Sequence, residues 1–223
     1  MLDYTVAREN MIESQVRPNG ITDRRLIDAM AAVPREQFVP AHLKPLAYMD
    51  EDIALVAGEG NARRYLLEPM AYARMVQAAR ISPDDLVLDI GAGSGYSAAV
   101  LSHLAQMVVA VESDAGLANA ANENLLRLEV SNVALVEAPL KTGYAAEGPY
   151  NAIIINGRVE EVPEMLLDQL ADGGRLVAVV GATDMARARV YTRRGNQIAD
   201  RDVFDASIPA LAEFDRPQQG FIF

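Results

Sequence analysis

The chain has 223 residues, 51% of them hydrophobic and 23% charged, with a formal charge of -11. This suits one sizeable soluble α/β domain with a short appendage and excludes a disordered chain. With no cysteine and two histidines, His42 and His103, disulfide frameworks and thiolate or imidazole metal centres drop out, and the acidic excess argues against free nucleic acid, whose phosphates need a surplus of Lys and Arg.

The N-terminus, MLDYTVAREN, is charged and polar, without the apolar stretch of a signal peptide. No run of about 18 apolar residues is present to cross a membrane, so the cytoplasm is the expected compartment. The first 80 residues read as helix and loop. Leu26, Ile27 and Met30 fall at helical spacing after the cap Thr22-Asp23, and Pro34 stops that run. Phe38 through Gly58-Glu59-Gly60-Asn61 is irregular and rich in turn residues. Pro69 opens a helix to about Arg80, with Met70, Met75, Val76 and Ala79 among its apolar positions.

From Pro83 the pattern becomes regular. Strands are expected at Leu86–Ile90, Met107–Val111, Val133–Val136, Ala152–Ile155 and Leu176–Val180. Helices are expected at Tyr96–Ala105, at Ala115–Leu128, and from Pro163 to just before Gly173-Gly174. Short, continuously apolar strands alternating with helices indicate a parallel sheet covered on both faces. Arg189–Arg193, the turn Gly195-Asn196 and Ile198–Phe204 read as an antiparallel pair on the sheet edge. The division expected is an N-terminal cap over residues 1–80 and a main domain over 81–223.

The informative segment is Val87-Leu88-Asp89-Ile90-Gly91-Ala92-Gly93-Ser94-Gly95-Tyr96. A strand ends in a carboxylate, turns through three alternate glycines and enters a helix. Glycines permit close backbone approach to a ligand and torsions that a side chain forbids. A dinucleotide pyrophosphate prefers G-x-G-x-x-G, whereas the spacing here is G-x-G-x-G, with Tyr96 at the sixth position. Asp89, two residues before the first glycine, is placed to face the ammonium of S-adenosylmethionine. Spacing and acid together favour that sulfonium cofactor. Glu112 ends the second strand, where an acid accepts hydrogen bonds from both ribose hydroxyls of a nucleoside. Asp89, Gly91, Gly93, Ser94, Gly95 and Glu112 are therefore the expected cofactor residues.

Val87–Leu104 (VLDIGAGSGYSAAVLSHL) closely resembles the corresponding stretch of protein-L-isoaspartate O-methyltransferases. The likeness continues upstream in Arg35-Glu36-Gln37-Phe38-Val39-Pro40, Ala47-Tyr48 and Asp52. Downstream it includes Asn132-Val133, Pro149-Tyr150, Ile153-Ile154, and Gln169-Leu170 with Gly173-Gly174. It spans roughly residues 8 to 212, and the upstream block is its more specific part. The resemblance implies a Rossmann-like methyltransferase fold, mostly parallel with an antiparallel C-terminal edge and a helical cap. It further implies methylation of isoaspartyl carboxylates in damaged proteins or peptides. Such a carboxylate is ionised at neutral pH and already a nucleophile, so no general base is required and none is assigned.

Three departures from the family stand out. Where it carries a Ser-containing motif lining the substrate site, this chain has Leu66-Leu67-Glu68-Pro69. Leu67 cannot donate a hydrogen bond, and Glu68 would repel a carboxylate unless it points away. Where the family places an acid near adenine, the chain reads Glu137-Ala138-Pro139, putting Ala138 at the cofactor. After the fourth strand it reads Asn156-Gly157-Arg158. Arg63 and Arg64 precede the altered motif and are candidates for a bidentate carboxylate clamp, so Arg64 through Pro69 are expected to border the substrate. Tyr65, Tyr72 and Tyr96 flank the site and are read as packing. Neither histidine receives a role. Two alternatives stay open: the same fold acting on another acceptor, and a non-catalytic binder of the cofactor.

Overall fold

The computed structural model describes residues 3–55, 64–182 and 185–214. Helix α1 (Tyr4–Met11) is capped by the Asp3 carboxylate, which accepts from the N–H groups of Thr5 and Val6. It continues through one π turn, Ile12–Val16, that buries Ile12 and Val16. Helix α2 (Arg24–Ala32) is capped by Asp23 and buries Leu26, Ile27 and Met30. It ends at Val33, which is extended, the conformation that a following proline favours.

Two short strands, β1 (Ile53–Ala54) and β2 (Tyr65–Leu66), pair antiparallel with Ile53 opposite Leu66. The turn residues Gly58–Asn61 and Arg63 lie outside the described residues. Helix α3 (Pro69–Ala79) begins on proline, whose fixed φ suits a first helical position, and ends at Arg80 in a left-handed conformation.

The regular region is β3 (Leu86–Ile90), α4 (Tyr96–Ser102), β4 (Met107–Glu112), α5 (Ala115–Arg127), β5 (Val133–Glu137), β6 (Tyr150–Val159), α6 (Glu164–Leu167), β7 (Leu170–Val180), β8 (Arg187–Arg194) and β9 (Gln197–Asp205). These strands form one sheet in the order β5-β4-β3-β6-β7-β8-β9. β3 pairs parallel with β4 on one side and β6 on the other. The chain thus reverses its direction of winding at β3, and a ligand crevice opens beyond the carboxyl ends of strands at such a point.

One apolar layer joins Val87, Val108, Ile154 and Val177 to α3, α4 and the N-terminal helices. The other joins Leu88, Val109, Ile153 and Leu176 to Leu166, Tyr150 and Leu211. Burial on both faces explains why the strands are apolar throughout. The first 80 residues share a continuous core with the sheet.

Several elements differ from the sequence reading; the strand expected at Ala152–Ile155 runs from Tyr150 to Val159. α4 stops at Ser102 rather than Ala105, with the next residues in a turn. The helix after Pro163 is four residues long, because the strand expected at Leu176 begins at Leu170. Gly173 and Gly174 break no helix; they lie where the β6–β7 register shifts, and a Cβ on Gly174 would meet the carbonyl oxygens of Ala171 and Tyr150 at 2.8 Å.

The edge hairpin β8–β9 turns through Gly195-Asn196, with Gly195 at φ 57°. Along it Arg187 and Arg189 meet Asp202 at 3.0 and 2.7 Å, and Arg189 also meets Asp200 at 3.6 Å. Beyond β9 the chain crosses back over the carboxyl ends of the strands. There Arg158 N–H donates to the Pro209 carbonyl at 2.8 Å, and Leu211 N–H to the Arg158 carbonyl at 2.9 Å. Among the described residues no helix is long and apolar enough to cross a membrane, and no carboxylate–histidine group is arranged for a metal ion.

Candidate cofactor and substrate site

The turn after β3 passes through Gly93 at φ 57° and Gly95 at φ 95°, both in the region that disfavours side chains. Gly95 begins α4 directly against α5, where a Cβ would come within 3.2 Å of the Ala121 Cα. These glycines therefore serve packing as well as backbone approach. Ser94 turns toward the protein: its hydroxyl donates to the Phe38 carbonyl, and its carbonyl accepts from Asn124 at 3.0 Å.

Asp89 is fully buried, and the chain's own donors engage both its oxygens. Ser97 Oγ donates to Oδ2 and Asn156 Nδ2 to Oδ1, each at 2.6 Å. Burial pushes the Asp89 carboxyl up to about 6; the two hydrogen bonds oppose that rise, and the nearby charge of Glu112 adds to it. Asn156 also donates to the Ile90 carbonyl at 3.2 Å. Its Oδ1 is buried and, among the described residues, accepts nothing.

Glu112 is buried at the end of β4. Gly93 N–H donates to Oε2 at 2.8 Å, while Ser113 and Asp114 N–H donate to Oε1 at 2.8 and 3.0 Å. Arg64 Nε lies 3.0 Å from Oε1 and 3.2 Å from Oε2. Its Nη2 donates to Ser113 Oγ at 2.7 Å and to the Glu213 carboxylate. Burial pushes Glu213 up, but hydrogen bonds from Ser113 and Arg64 outweigh it and leave the carboxyl below the ordinary glutamate value. The structure thus places Arg64 on Glu112, not on the substrate side where the sequence reading put it. Ala138 is held beside the same acid, its N–H donating to the Glu112 carbonyl at 3.1 Å.

A cavity opens between this turn and the altered motif, walled by Tyr65, Leu66, Leu67, Tyr72, Tyr96 and Asn156. Leu66 and Leu67 are buried. Arg35 fixes this wall from behind. Fully buried, it donates to the carbonyls of Ala47 and Leu67, both at 2.6 Å, and lies 5.0 Å from the centre of the Tyr96 ring. Burial lowers its pKa.

Pro69 is buried at the start of α3. Glu68 does not line the cavity; its N–H donates to Asp52 Oδ1 at 2.9 Å. Burial, then the charges of Asp52 and Asp50, push the Glu68 carboxyl up to about 7. Of the tyrosines, Tyr72 donates to the Ser97 carbonyl at 3.1 Å, and Tyr96 packs edge-on against Phe38.

The chemistry on offer suits an aminoacyl nucleoside. One buried carboxylate, Asp89, is of the kind that meets an ammonium, a second, Glu112, is occupied by Arg64 and three backbone N–H groups, and the Asn156 Oδ1 is open to one further donor. The space over Gly93 is taken by Leu55, whose Cδ1 would lie 2.7 Å from an added Cβ. That contact is the end of a flexible side chain, so it does not bar a ligand. Reasoning from sequence missed Ser97, Ser113 and Glu213. Ser97 carried a signal, standing in the first turn of α4 and eight residues after Asp89. Glu213 carried none, because a chain crossover brings it there from 100 residues away.

Sheet order and paired carboxylates of this kind occur together in the S-adenosylmethionine-dependent methyltransferases of Rossmann-like fold. Residues 7–208 match the protein-family model described as Protein-L-isoaspartate(D-aspartate) O-methyltransferase (PCMT). The protein-L-isoaspartate O-methyltransferase of Methanoculleus marisnigri is 44% identical over 78% of this chain and 77% of its own. That of Koribacter versatilis is 35% identical over 87% of this chain and 86% of its own. The chain belongs to this family.

Two solved structures establish the same fold. A protein-L-isoaspartate O-methyltransferase superposes with a TM-score of 0.79 at 24% identity, covering 91% of this chain and 65% of that one. A Plasmodium falciparum beta-aspartate methyltransferase in complex with S-adenosyl-L-homocysteine superposes with a TM-score of 0.74 at 21% identity, covering 95% and 99%.

Proposed function

We propose that the protein transfers a methyl group from S-adenosylmethionine to the α-carboxylate of isoaspartyl residues in damaged proteins, as a cytoplasmic repair step. The observation that carries this reading is the family match, which runs through both the glycine turn and the N-terminal cap. The cofactor supplies an electrophilic methyl on a sulfonium. Asp89, held by Ser97 and Asn156, would take its ammonium, and Glu112 its ribose. Gly91, Gly93, Ser94 and Gly95 would border it through their backbone, and Ala138 would lie at its base.

The acceptor carboxylate needs no base, since it is ionised well below neutral pH. The chain's task is to align that oxygen with the methyl and keep water away. Leu66, Leu67 and Tyr72 supply an apolar wall for this, and Arg35 holds the wall in place. Leu67 and the neighbouring acid Glu68 favour a second reading, in which the acceptor is a different and less anionic group.

Labelled methyl transfer to an isoaspartyl peptide, with the aspartyl peptide as control, tests the choice. Selective turnover supports isoaspartyl repair. Absence of turnover in a preparation that binds S-adenosylhomocysteine favours the other acceptor.

A further inference from the structure

Glu112, the carboxylate suited to a ribose diol, is already saturated from within the chain. Three backbone N–H groups donate to it, from Gly93, Ser113 and Asp114. Arg64 spans both its oxygens at 3.0 and 3.2 Å. A carboxylate offers about four acceptor positions; three N–H groups and Arg64 fill them, so a ribose hydroxyl cannot join this set while the guanidinium stays. The side chains of Arg64 and Glu112 are 2% and 0% exposed. Opening a buried pair of this kind is costly unless something else satisfies the carboxylate, and a ribose hydroxyl donates to the position Arg64 leaves.

Arg64 has somewhere to go. Its Nη2 already shares Glu213, whose side chain is 29% exposed and lies on the outer side of the pair. It also directly precedes Tyr65, Leu66 and Leu67, which wall the substrate cavity. That cavity has no Lys, Arg or His among its described lining residues, and Arg35, bonded to two carbonyls through Nε and Nη2, is fully buried behind the wall and does not line it. A carboxylate acceptor there lacks a counter-charge until one is delivered.

We infer that Arg64 and the cofactor's ribose compete for Glu112, and that the guanidinium displaced by the cofactor becomes the positive charge that meets the substrate carboxylate. The competition rests on the geometry of Glu112 and on its reading as the ribose carboxylate. The handover rests on the isoaspartyl reading above.

Arg64→Ala and Arg64→Lys, checked for fold by circular dichroism, are titrated with S-adenosylhomocysteine. Their KM for an isoaspartyl peptide is then measured at saturating S-adenosylmethionine. Arg64→Ala should bind S-adenosylhomocysteine about tenfold more tightly, since no fraction of the protein is held closed, with Arg64→Lys intermediate. Its peptide KM should rise by about tenfold, the loss of one charge-assisted contact. A merely structural role would weaken both. In the wild-type protein, the Arg64 Nε–H resonance should shift on saturation with S-adenosylhomocysteine.

Unchanged or weaker S-adenosylhomocysteine binding by folded Arg64→Ala overturns the competition, as does an Arg64 resonance that the ligand does not move. Tighter binding with an unchanged peptide KM overturns the handover. Tighter binding without any wild-type turnover of the isoaspartyl peptide overturns the isoaspartyl reading and the handover with it, and upholds the competition.

Discussion

Asn156 reaches across from β6 to Asp89 on β3 and donates to its carboxylate at 2.6 Å, while its own Oδ1 has no described partner. The amide is oriented by Asp89, by the Ile90 carbonyl and by Ser97, leaving the acceptor face for a ligand. Asn156→Ala removes both functions. S-adenosylhomocysteine affinity at pH 7 should fall by roughly 1–2 kcal/mol, about tenfold. Calorimetric titration measures this, and unchanged affinity would mean the amide serves only the sheet.

Asp89 gives a pH dependence of definite sign. Its carboxyl is at about 6 in the folded free protein, above the unfolded value near 3.9. The folded state therefore keeps the proton through the window between roughly pH 4 and 6. Stability falls as pH rises across that window and stays lower above it, by about 3 kcal/mol. Asp89→Asn should raise the Tm of the free protein at pH 8 and leave it unchanged near pH 4, while binding of S-adenosylhomocysteine weakens. Thermal melts across pH decide this; a lower Tm at pH 8 would show that the charge is better compensated than its burial implies.

Glu68 supplies a second titration, at about 7, next to Leu67 in the chain. On the proposed reading its ionisation adds negative charge near the anionic acceptor. The peptide KM should rise between about pH 6 and 8, and Glu68→Gln should flatten that rise. A KM profile identical in the two proteins would place Glu68 too far from the acceptor to matter.

Arg35 joins the two segments that frame the cavity, holding the carbonyls of Ala47 and Leu67. Arg35→Ala strands both acceptors and opens a void, so a loss of about 2–4 kcal/mol is expected. The urea midpoint reports it. A loss below about 0.5 kcal/mol, the usual size for a surface change, would show that water replaces the guanidinium.

Much of the sheet was legible because continuous apolar runs such as Leu86–Ile90 have few other uses. The bounds of α6 were not, since Gly173-Gly174 reads as a helix stop and in fact serves a bulged strand pair. The juxtaposition of Asp89, Gly93 and Glu112 at one strand end was legible through their spacing, and the structure brings Gly93 N–H onto Glu112 at 2.8 Å. What Arg64 does was hidden. Two adjacent arginines in a loop look solvated, and only the approach of β4 and the returning C-terminal segment supplies Glu112 and Glu213. Side chains whose partners come from distant segments leave no local pattern to read.

The hairpin β8–β9 carries one more consequence. Among the described residues β9 is the last strand of the sheet, paired on one side only, and the arginine–aspartate ladder between β8 and β9 marks that rim with charge. Exposed ion pairs contribute little to folding, but charges on an open strand discourage a second molecule from docking there. Raising the ionic strength screens them. Concentrated salt should therefore leave the melting temperature nearly unchanged while lowering the concentration at which molecules begin to associate, rim against rim.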